Sequence, residues 1–517
     1  MNKAVFVAAG ILLSRLAGLV RLRVFAHYFG LQSDSADAFN AAFRIPNFLQ
    51  NLFGEGALSA SFIPVYAALV SRGERREADR VAGAVGALLA LVVAILVLVG
   101  VFATPLLIAL IAPGFTGEKR ALTITLVRIL FPGAGLLVLS AWCLGVLNSH
   151  GRFLLSYAAP VMWNAAMIAT LVAFGADTPL PRLAVLLAWG SVAGSALQFA
   201  VQLPAVVRVA PDARPALDLV SEQVREVVRN FAPVFVSRGV VQVSAYIDSL
   251  LASLLPTGAV TGISNAALLY TLPVSLFGVS VAASELPAMA GAATLDDAGA
   301  LAVRGRLDAA LRQIAFFVVP SSVAFLALGD VIAGAVLQTG RFTHADAEYV
   351  WAILAGSSVG LVASTLGRLY SSTFYALRDT RTPLRFALVR VSLTTVLGYL
   401  FALPLPRLLG IDAGWGAAGL TASAGLAGWI EMLLLRHAMR TRIGSTGMPK
   451  TFLVTLWGAA IAGAALGWLV KLTLPPVHPI VGAAAVLAPY GAAYFGVTLA
   501  LGVPEATGTI RRVMRRR

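Results

Sequence analysis

Between residues 44 and 64 the chain reads RIPNFLQNLFGEGALSASFIP, which sets charge, amide, glycine and proline between apolar runs on both sides. An ionisable side chain at bilayer depth costs about 2.5 to 3.5 kcal/mol even on insertion scales. Arg44 and Glu55, with Asp37 just upstream, must therefore face a polar cavity or a partner helix. The depth itself follows from composition. With 59% hydrophobic residues, 12% charged residues and a mean hydropathy of +0.85 over 517 residues, the chain is far more apolar than a soluble protein of its length.

A hydrocarbon core of about 30 Å needs about 20 apolar residues in a helix. Such stretches fall near 4–28, 36–70, 81–104, 122–147, 155–175, 184–207, 230–255, 262–290, 310–330, 348–375, 384–404, 413–435, 451–472 and 480–502. The expected fold is an all-α polytopic membrane protein with fourteen transmembrane helices. The second, eighth and tenth stretches exceed a perpendicular crossing, and Pro and Gly in the second and eighth predict bends.

Basic residues divide unevenly between the two sets of loops. Those after even-numbered helices, with the two termini, hold about 25, among them Arg72, Arg208, Arg304, Arg378 and Arg436; the opposite loops hold about 6, among them Lys119 and Arg182. That bias places both termini in the cytoplasm. The formal charge of +15 and pI of 10.6 are thus largely a topology signal. Spread over separate short loops, they do not read as a nucleic-acid surface. The first helix carries Arg15, Arg21 and Arg23 and no small-residue cleavage site, so it is expected to be retained. One cysteine, Cys143, and five scattered histidines give no disulfide or metal motif, and no GxxxxGK[ST] loop occurs. Enzymatic chemistry and ATP consumption are not expected, and the reading includes no cofactor.

LFGEGALSASFIPVYA at 52–67 aligns with LFGVSVAASELPAMA at 276–290. Six helices separate the copies, so they share an orientation, as in parallel repeats related by an axis along the membrane normal. Two six-helix lobes result, at 1–210 and 230–440, joined by an amphipathic linker at 211–229. Two such lobes are a common layout for alternating access.

SRLAGLVR at 14–21, DAFNAAFRIPN at 37–47, the 44–64 segment, LNSHGRF at 147–153, APVMWN at 159–164, GRFTHAD at 340–346 and FYALRDTRTP at 374–383 resemble the signature of the MurJ (MviN) family of lipid II flippases, within the MOP exporter superfamily. The resemblance runs along nearly the whole chain. It implies two extra C-terminal helices at 451–502 that form a lipid-tail groove, followed by a basic cytoplasmic tail at 503–517. It further implies a multi-pass protein of the bacterial cytoplasmic (inner) membrane that serves peptidoglycan synthesis. Its partners would be lipid II, membrane lipids and the cell-wall synthesis machinery, with no nucleic acid, and the protein would be a monomer.

A lipid-linked diphosphate needs Arg or Lys donors in a wet cavity. Arg15 and Arg21 match the family's SRxxGxxR pattern and, with Arg44, are the expected substrate contacts. At 100° per residue Arg15 and Arg23 stand about 80° apart and Arg21 about 120° away on the other side; Gly18 could bend the helix. Two positions where family members carry arginine hold Gln50 and Leu268 here, and Arg238 and Arg44 are the candidate replacements. The alternative pairs Arg238 with Asp248 or Glu285. Glu55 either gates by exchanging partners with a first-helix arginine or forms a permanent salt bridge, and Asp37 matches a family position near the cavity. Asn164 and Gln242 read as interhelical hydrogen-bond partners, Asn164 also as a substrate contact, and Glu285 and Arg368 as charge-pairing residues. A sodium site of some family members would map to Asp248, Asp379, Val391 and Thr395, with Tyr375 where a further amide ligand is expected.

The expected function is transfer of lipid II from the cytoplasmic to the outer leaflet by alternating access. The alternatives are a transporter of another lipid-linked saccharide and a drug or cation exporter of the same superfamily, the latter disfavoured by an arginine-rich first lobe. The topology is testable in a Cys143→Ser background. A membrane-impermeant maleimide is expected to label Arg182→Cys in intact spheroplasts and Arg304→Cys only after lysis; the reverse pattern contradicts the assignment.

Overall fold

The computed structural model describes residues 3–218, 220–292 and 297–514. Among these the chain is helical, with no β-structure beyond an isolated bridge between Thr339 and Phe342. It forms two compact units, one of residues 1–260 with Thr339–Phe342, the other of Thr261–Gln338 with Thr343–Arg517.

The first unit holds α1 (Lys3–Phe29), α2 (Asp34–Phe53), α3 (Glu55–Ser71), α4 (Arg75–Ile111), α5 (Gly117–Ser149), α6 (Phe153–Ala158), α7 (Pro160–Phe174), α8 (Leu180–Val209) and α9 (Glu222–Ser253). Ser33 starts α2 by accepting the Ala36 N–H at 3.1 Å, an N-cap reinforced by Asp34 and Asp37 in the positive first turn. The bend expected in the second span is a break at Gly54. There the backbone turns extended, and a Cβ would lie 2.2 Å from the Gln50 carbonyl oxygen, so only glycine fits. Phe62, Tyr66, Val146 and Leu147 anchor one core between α3, α4 and α5, and Phe25, Phe39, Leu130 and Leu187 anchor a second between α1, α2, α5 and α8.

The unit runs past the expected lobe edge at residue 210, because α9 packs on α2, α3 and α4. Residues 222–229 of the expected linker are the first turns of α9. The segment before them is seated on α4: Asp212 N–H donates to Asp79 at 3.1 Å, Arg80 pairs with Asp218 at 2.7 Å, and Gly83 lies so close to the Arg214 carbonyl that a Cβ would sit 2.2 Å from it.

The second unit holds α10 (Ala259–Pro273), a π-helical turn at Val274–Val279, α11 (Ser280–Ala292), α12 (Asp297–Leu337), α13 (His344–Ser358), α14 (Leu361–Ala376), α15 (Arg381–Ala402), α16 (Pro404–Leu409), α17 (Gly416–Ile443), α18 (Lys450–Thr473), α19 (Pro479–Ala500) and α20 (Pro504–Met514). The two copies of the Leu-Phe-Gly repeat thus both mark helix irregularities, the break at Gly54 and the π-helical turn that contains Gly278.

The long α12 shows why α18 and α19 are bound to it. Pro320 has no N–H for the Phe316 carbonyl one turn earlier, and the Tyr494 hydroxyl from α19 donates to that oxygen at 2.5 Å. The helix kinks again at Leu328, where the dihedrals leave the helical region. Two indoles serve the carbonyls just before the kink: Trp351 Nε1 donates to Leu326 at 3.0 Å and Trp468 Nε1 to Ala327 at 2.9 Å.

Among the described residues eleven helical segments are long and apolar enough to cross a membrane, or twelve when the bent pair α13–α14 counts as one span. The expected first and seventh spans correspond to α1 and α9, in both of which a run of side chains lies outside the described residues. Removing the Tyr494 hydroxyl leaves a carbonyl unpaired, at a cost of about 1–3 kcal/mol. Tyr494→Phe is expected to lower the thermal midpoint of the purified protein, while Tyr399→Phe, half exposed on α15, leaves it unchanged.

Candidate functional site

The first unit holds a guanidinium on α1 that is positioned but not neutralised. Gly10 and Gly18 let α1 come close to α6 and α7: a Cβ at residue 10 would lie 2.8 Å from Tyr157, and one at residue 18 would reach the Asn164 amide at 4.0 Å. One turn beyond Gly18, Arg21 Nε donates to Asn164 Oδ1 at 2.9 Å. Asn164 is buried, and its amide N–H donates to the Pro160 carbonyl at 3.0 Å, which turns the oxygen toward the arginine. The guanidinium carbon stands 4.8 Å from the centre of the Trp163 ring, a cation–π arrangement. Trp163 is itself held by its indole N–H on Ser191 at 3.1 Å and by Phe43 at 5.6 Å.

Among the described residues no carboxylate lies within 4 Å of Arg21. An arginine has five donors in a fixed fork. One is used on Asn164, and the only other described contact is a long one of 4.0 Å from Nη1 to Met167 sulfur. A charge oriented from behind, with its outer donors open, is suited to receive an anion bidentately.

The other expected substrate residues are arranged differently. Arg15 is exposed on α1, consistent with its different helical face. Arg44 Nη1 hydrogen-bonds Ser249 of α9, with Asp248 and Tyr246 in electrostatic range; its neighbour Phe43 faces Trp163, and one residue on a helix turns the direction by about 100°. Arg44 thus ties α2 to α9 beside a tight hollow lined by Ala41, Ile108 and Ser253. Gln50 is half-buried near the end of α2. The backbones of α3 and α9 carry Glu55, Arg238 and Gln242, whose side chains lie outside the described residues.

Asp37 is buried and bound to groups that sequence reasoning did not connect with it. Its carboxylate accepts Lys119 at 2.9 Å and the Gly258 N–H at 2.9 Å, while Asp34 meets the same lysine at 3.0 Å and the Thr257 hydroxyl at 2.7 Å. Lys119 also stands 4.5 Å from the Phe115 ring. These contacts latch the start of α2 to α5 and to the turn after α9. Its sequence signal was a lysine among the few cations on the lightly charged side. At the same end Arg341 N–H donates to the His27 carbonyl at 2.9 Å, and His27 meets Thr339 at 3.0 Å.

In the second unit Glu285 is paired with Arg306 at 3.4 Å, and Arg368 is exposed, near Tyr270. Of the residues expected to hold sodium, Asp379 does not converge with Val391 and Thr395. Asp379 caps the start of α15, whereas Val391 and Thr395 lie ten and fourteen residues inside it, about 15 and 21 Å along the axis at 1.5 Å per residue. The Asp379 oxygens are already engaged by the Arg381 and Thr382 N–H groups, the Thr382 hydroxyl and Arg442, and the Val391 carbonyl accepts the Thr395 hydroxyl at 2.9 Å. Asp379, Val391 and Thr395 do not fit one cation together.

Comparison with known proteins agrees with the fold. Residues 25–481 match the family model described as "Lipid II flippase MurJ". A lipid II flippase MurJ of Burkholderia cenocepacia is 32% identical over 96% of both chains, and a probable lipid II flippase MurJ of Vibrio cholerae is 29% identical over 90% of this chain and 88% of its own. Among solved structures, a lipid II flippase MurJ in an inward closed conformation superposes with a TM-score of 0.77 at 23% identity, covering 96% of this chain and 99% of the other. An inward-facing multidrug-resistance MATE transporter of the MOP superfamily follows at 0.68 and 16% identity, over 86% and 98%. The chain belongs to the MurJ family of lipid II flippases.

Proposed function

We propose that this chain carries lipid II from the cytoplasmic to the outer leaflet of the bacterial inner membrane by alternating access, as a transporter and not an enzyme. Family membership supports the reading, and the guanidinium of Arg21, oriented by Asn164 and Trp163 with its outer donors open, is the observation that carries it. An uncompensated intramembrane cation is costly unless a substrate anion uses it. The diphosphate of a polyprenyl-linked saccharide is such an anion, and no bond need be broken to move it.

In this reading fourteen spans, including α1 and α9, form two six-helix lobes with both termini cytoplasmic. The pair α18 and α19 accommodates the lipid tail, and the cell-wall synthesis machinery supplies and receives the substrate. Arg44 and Arg238 stand in for the cations that the family places at Gln50 and Leu268. The latch at Asp37 and Lys119 lies on the side that the charge bias assigns to the exterior, where it closes that end of the first lobe until the headgroup is released. An alternative substrate, another lipid-linked saccharide, would use the same cation.

The test is replacement of the resident flippase in depleted cells, read as growth and outward exposure of lipid II. Wild type is expected to sustain both, and well-expressed Arg21→Ala neither. Asn164→Ala, which removes one hydrogen bond to a charged group, is expected to lower transport about tenfold. Arg15→Ala tests whether the neighbouring cation on the exposed face contributes. Full transport by Arg21→Ala contradicts the proposed site; failure of inserted wild type redirects the proposal to another lipid-linked saccharide.

A further inference from the structure

A second concentration of positive charge lies in the other compact unit, where α14 ends and α15 begins. The chain leaves α14 through a tight turn, with Arg378 N–H on the Tyr375 carbonyl at 3.0 Å and Asp379 N–H on the Phe374 carbonyl at 2.9 Å. Arg378 takes the left-handed backbone at φ 60°, a position that helix ends usually give to glycine. Asp379 then organises the start of α15. One carboxylate oxygen accepts the N–H groups of Arg381 and Thr382 at 3.1 and 3.0 Å; the other accepts the Thr382 hydroxyl at 2.8 Å and Arg442 of α17 at 3.0 Å. These donors hold its carboxyl below the usual carboxylate range, led by the Thr382 backbone N–H.

Around this anchor a hollow of about 400 Å³ is lined by Arg378, Arg381, Arg385 and Arg442, with Asp379 as its one carboxylate. Among the described residues Arg378, Arg381 and Arg385 have no carboxylate within 4 Å. Basic residues elsewhere in these loops serve topology as a scattered excess, and scattered charges need no common focus. Four arginines lining one hollow, one of them held by Asp379, supply the donors that the oxygens of a phosphate need, and basic pockets at the cytoplasmic ends of membrane helices are a recurrent way to hold anionic headgroups.

The surface beside the hollow favours a lipid as the carrier of that phosphate. Arg381 and Arg385 are four residues apart on α15 and share a face with Leu384 and Leu388, which are 51% and 52% exposed. An acyl chain along the leucines would leave its headgroup at the arginines. We propose that this hollow binds a phosphate group, presented by an anionic phospholipid of the cytoplasmic leaflet or free in solution. The inference goes beyond the flippase reading and does not depend on Arg21.

The test uses the purified full chain in detergent, titrated with dihexanoyl-phosphatidylglycerol and separately with inorganic phosphate, binding being read by thermophoresis. Wild type is expected to bind, and Arg381→Gln with Arg385→Gln to weaken binding about tenfold or more. Arg378→Gly is the second variant: glycine suits the left-handed backbone, so its thermal midpoint is expected to hold or rise while affinity falls. Binding of the lipid without displacement by inorganic phosphate assigns the site to the membrane; displacement assigns it to the phosphate alone. Absence of binding by wild type, or equal binding by wild type and both variants, overturns the proposal.

Discussion

The absence of water at membrane depth is the constraint on which the structure depends, because each buried polar group must find its partner within the protein. The backbone meets it locally. Where Pro320 deprives the Phe316 carbonyl of its helical donor, Tyr494 supplies another, and where α12 kinks at Leu328 the indoles of Trp351 and Trp468 reach the carbonyls before the bend. The irregular geometry of one helix thereby dictates which residues its neighbours present, and it joins α18 and α19 to the second unit. Charges are handled in the same way. Asp37 is enclosed by Lys119 and a backbone N–H, and the partly exposed Arg390 is paired with Glu431 at 3.0 Å.

Arg21 stands out against this pattern. Its partners are an amide oxygen and an aromatic face, which orient a guanidinium without cancelling its charge. A carboxylate in their place would have lowered the cost of burial and competed with any incoming anion. The support behind the arginine is equally specific: Asn164 is turned by the Pro160 carbonyl and Trp163 is held by Ser191. Such backing keeps the charged group in one rotamer and limits the ordering cost on binding.

Much of this was legible in the sequence because membrane helices are written in length and hydropathy, and because Gly18, Arg21 and Asn164 stand out within motifs; that Gly18 admits α7 instead of bending α1, and that Arg21 meets Asn164, follows from the packing of the two helices. The bend of the second span was legible from glycine and proline, although that Gly54 is the breaking point follows from the Gln50 carbonyl beside it. Other features depend on contacts that no local pattern encodes. Lys119 reads as a loop cation until the fold sets it against Asp34 and Asp37. Asp379 reads as a cation ligand until its oxygens are seen to cap α15. The edge of the first unit was placed by the repeat at residue 210, whereas packing carries it through α9, since repeats report ancestry of segments and compactness reports contacts.

In the proposed function the open donors of Arg21 receive the diphosphate of the lipid-linked substrate. Direct titration of the purified protein with lipid II, comparing wild type with Arg21→Gln at equal thermal stability, tests it most directly. Loss of several donors of one charge-assisted fork predicts affinity weaker by about tenfold or more, with binding of an uncharged polyprenol unchanged; equal affinity for lipid II in the two proteins would contradict it.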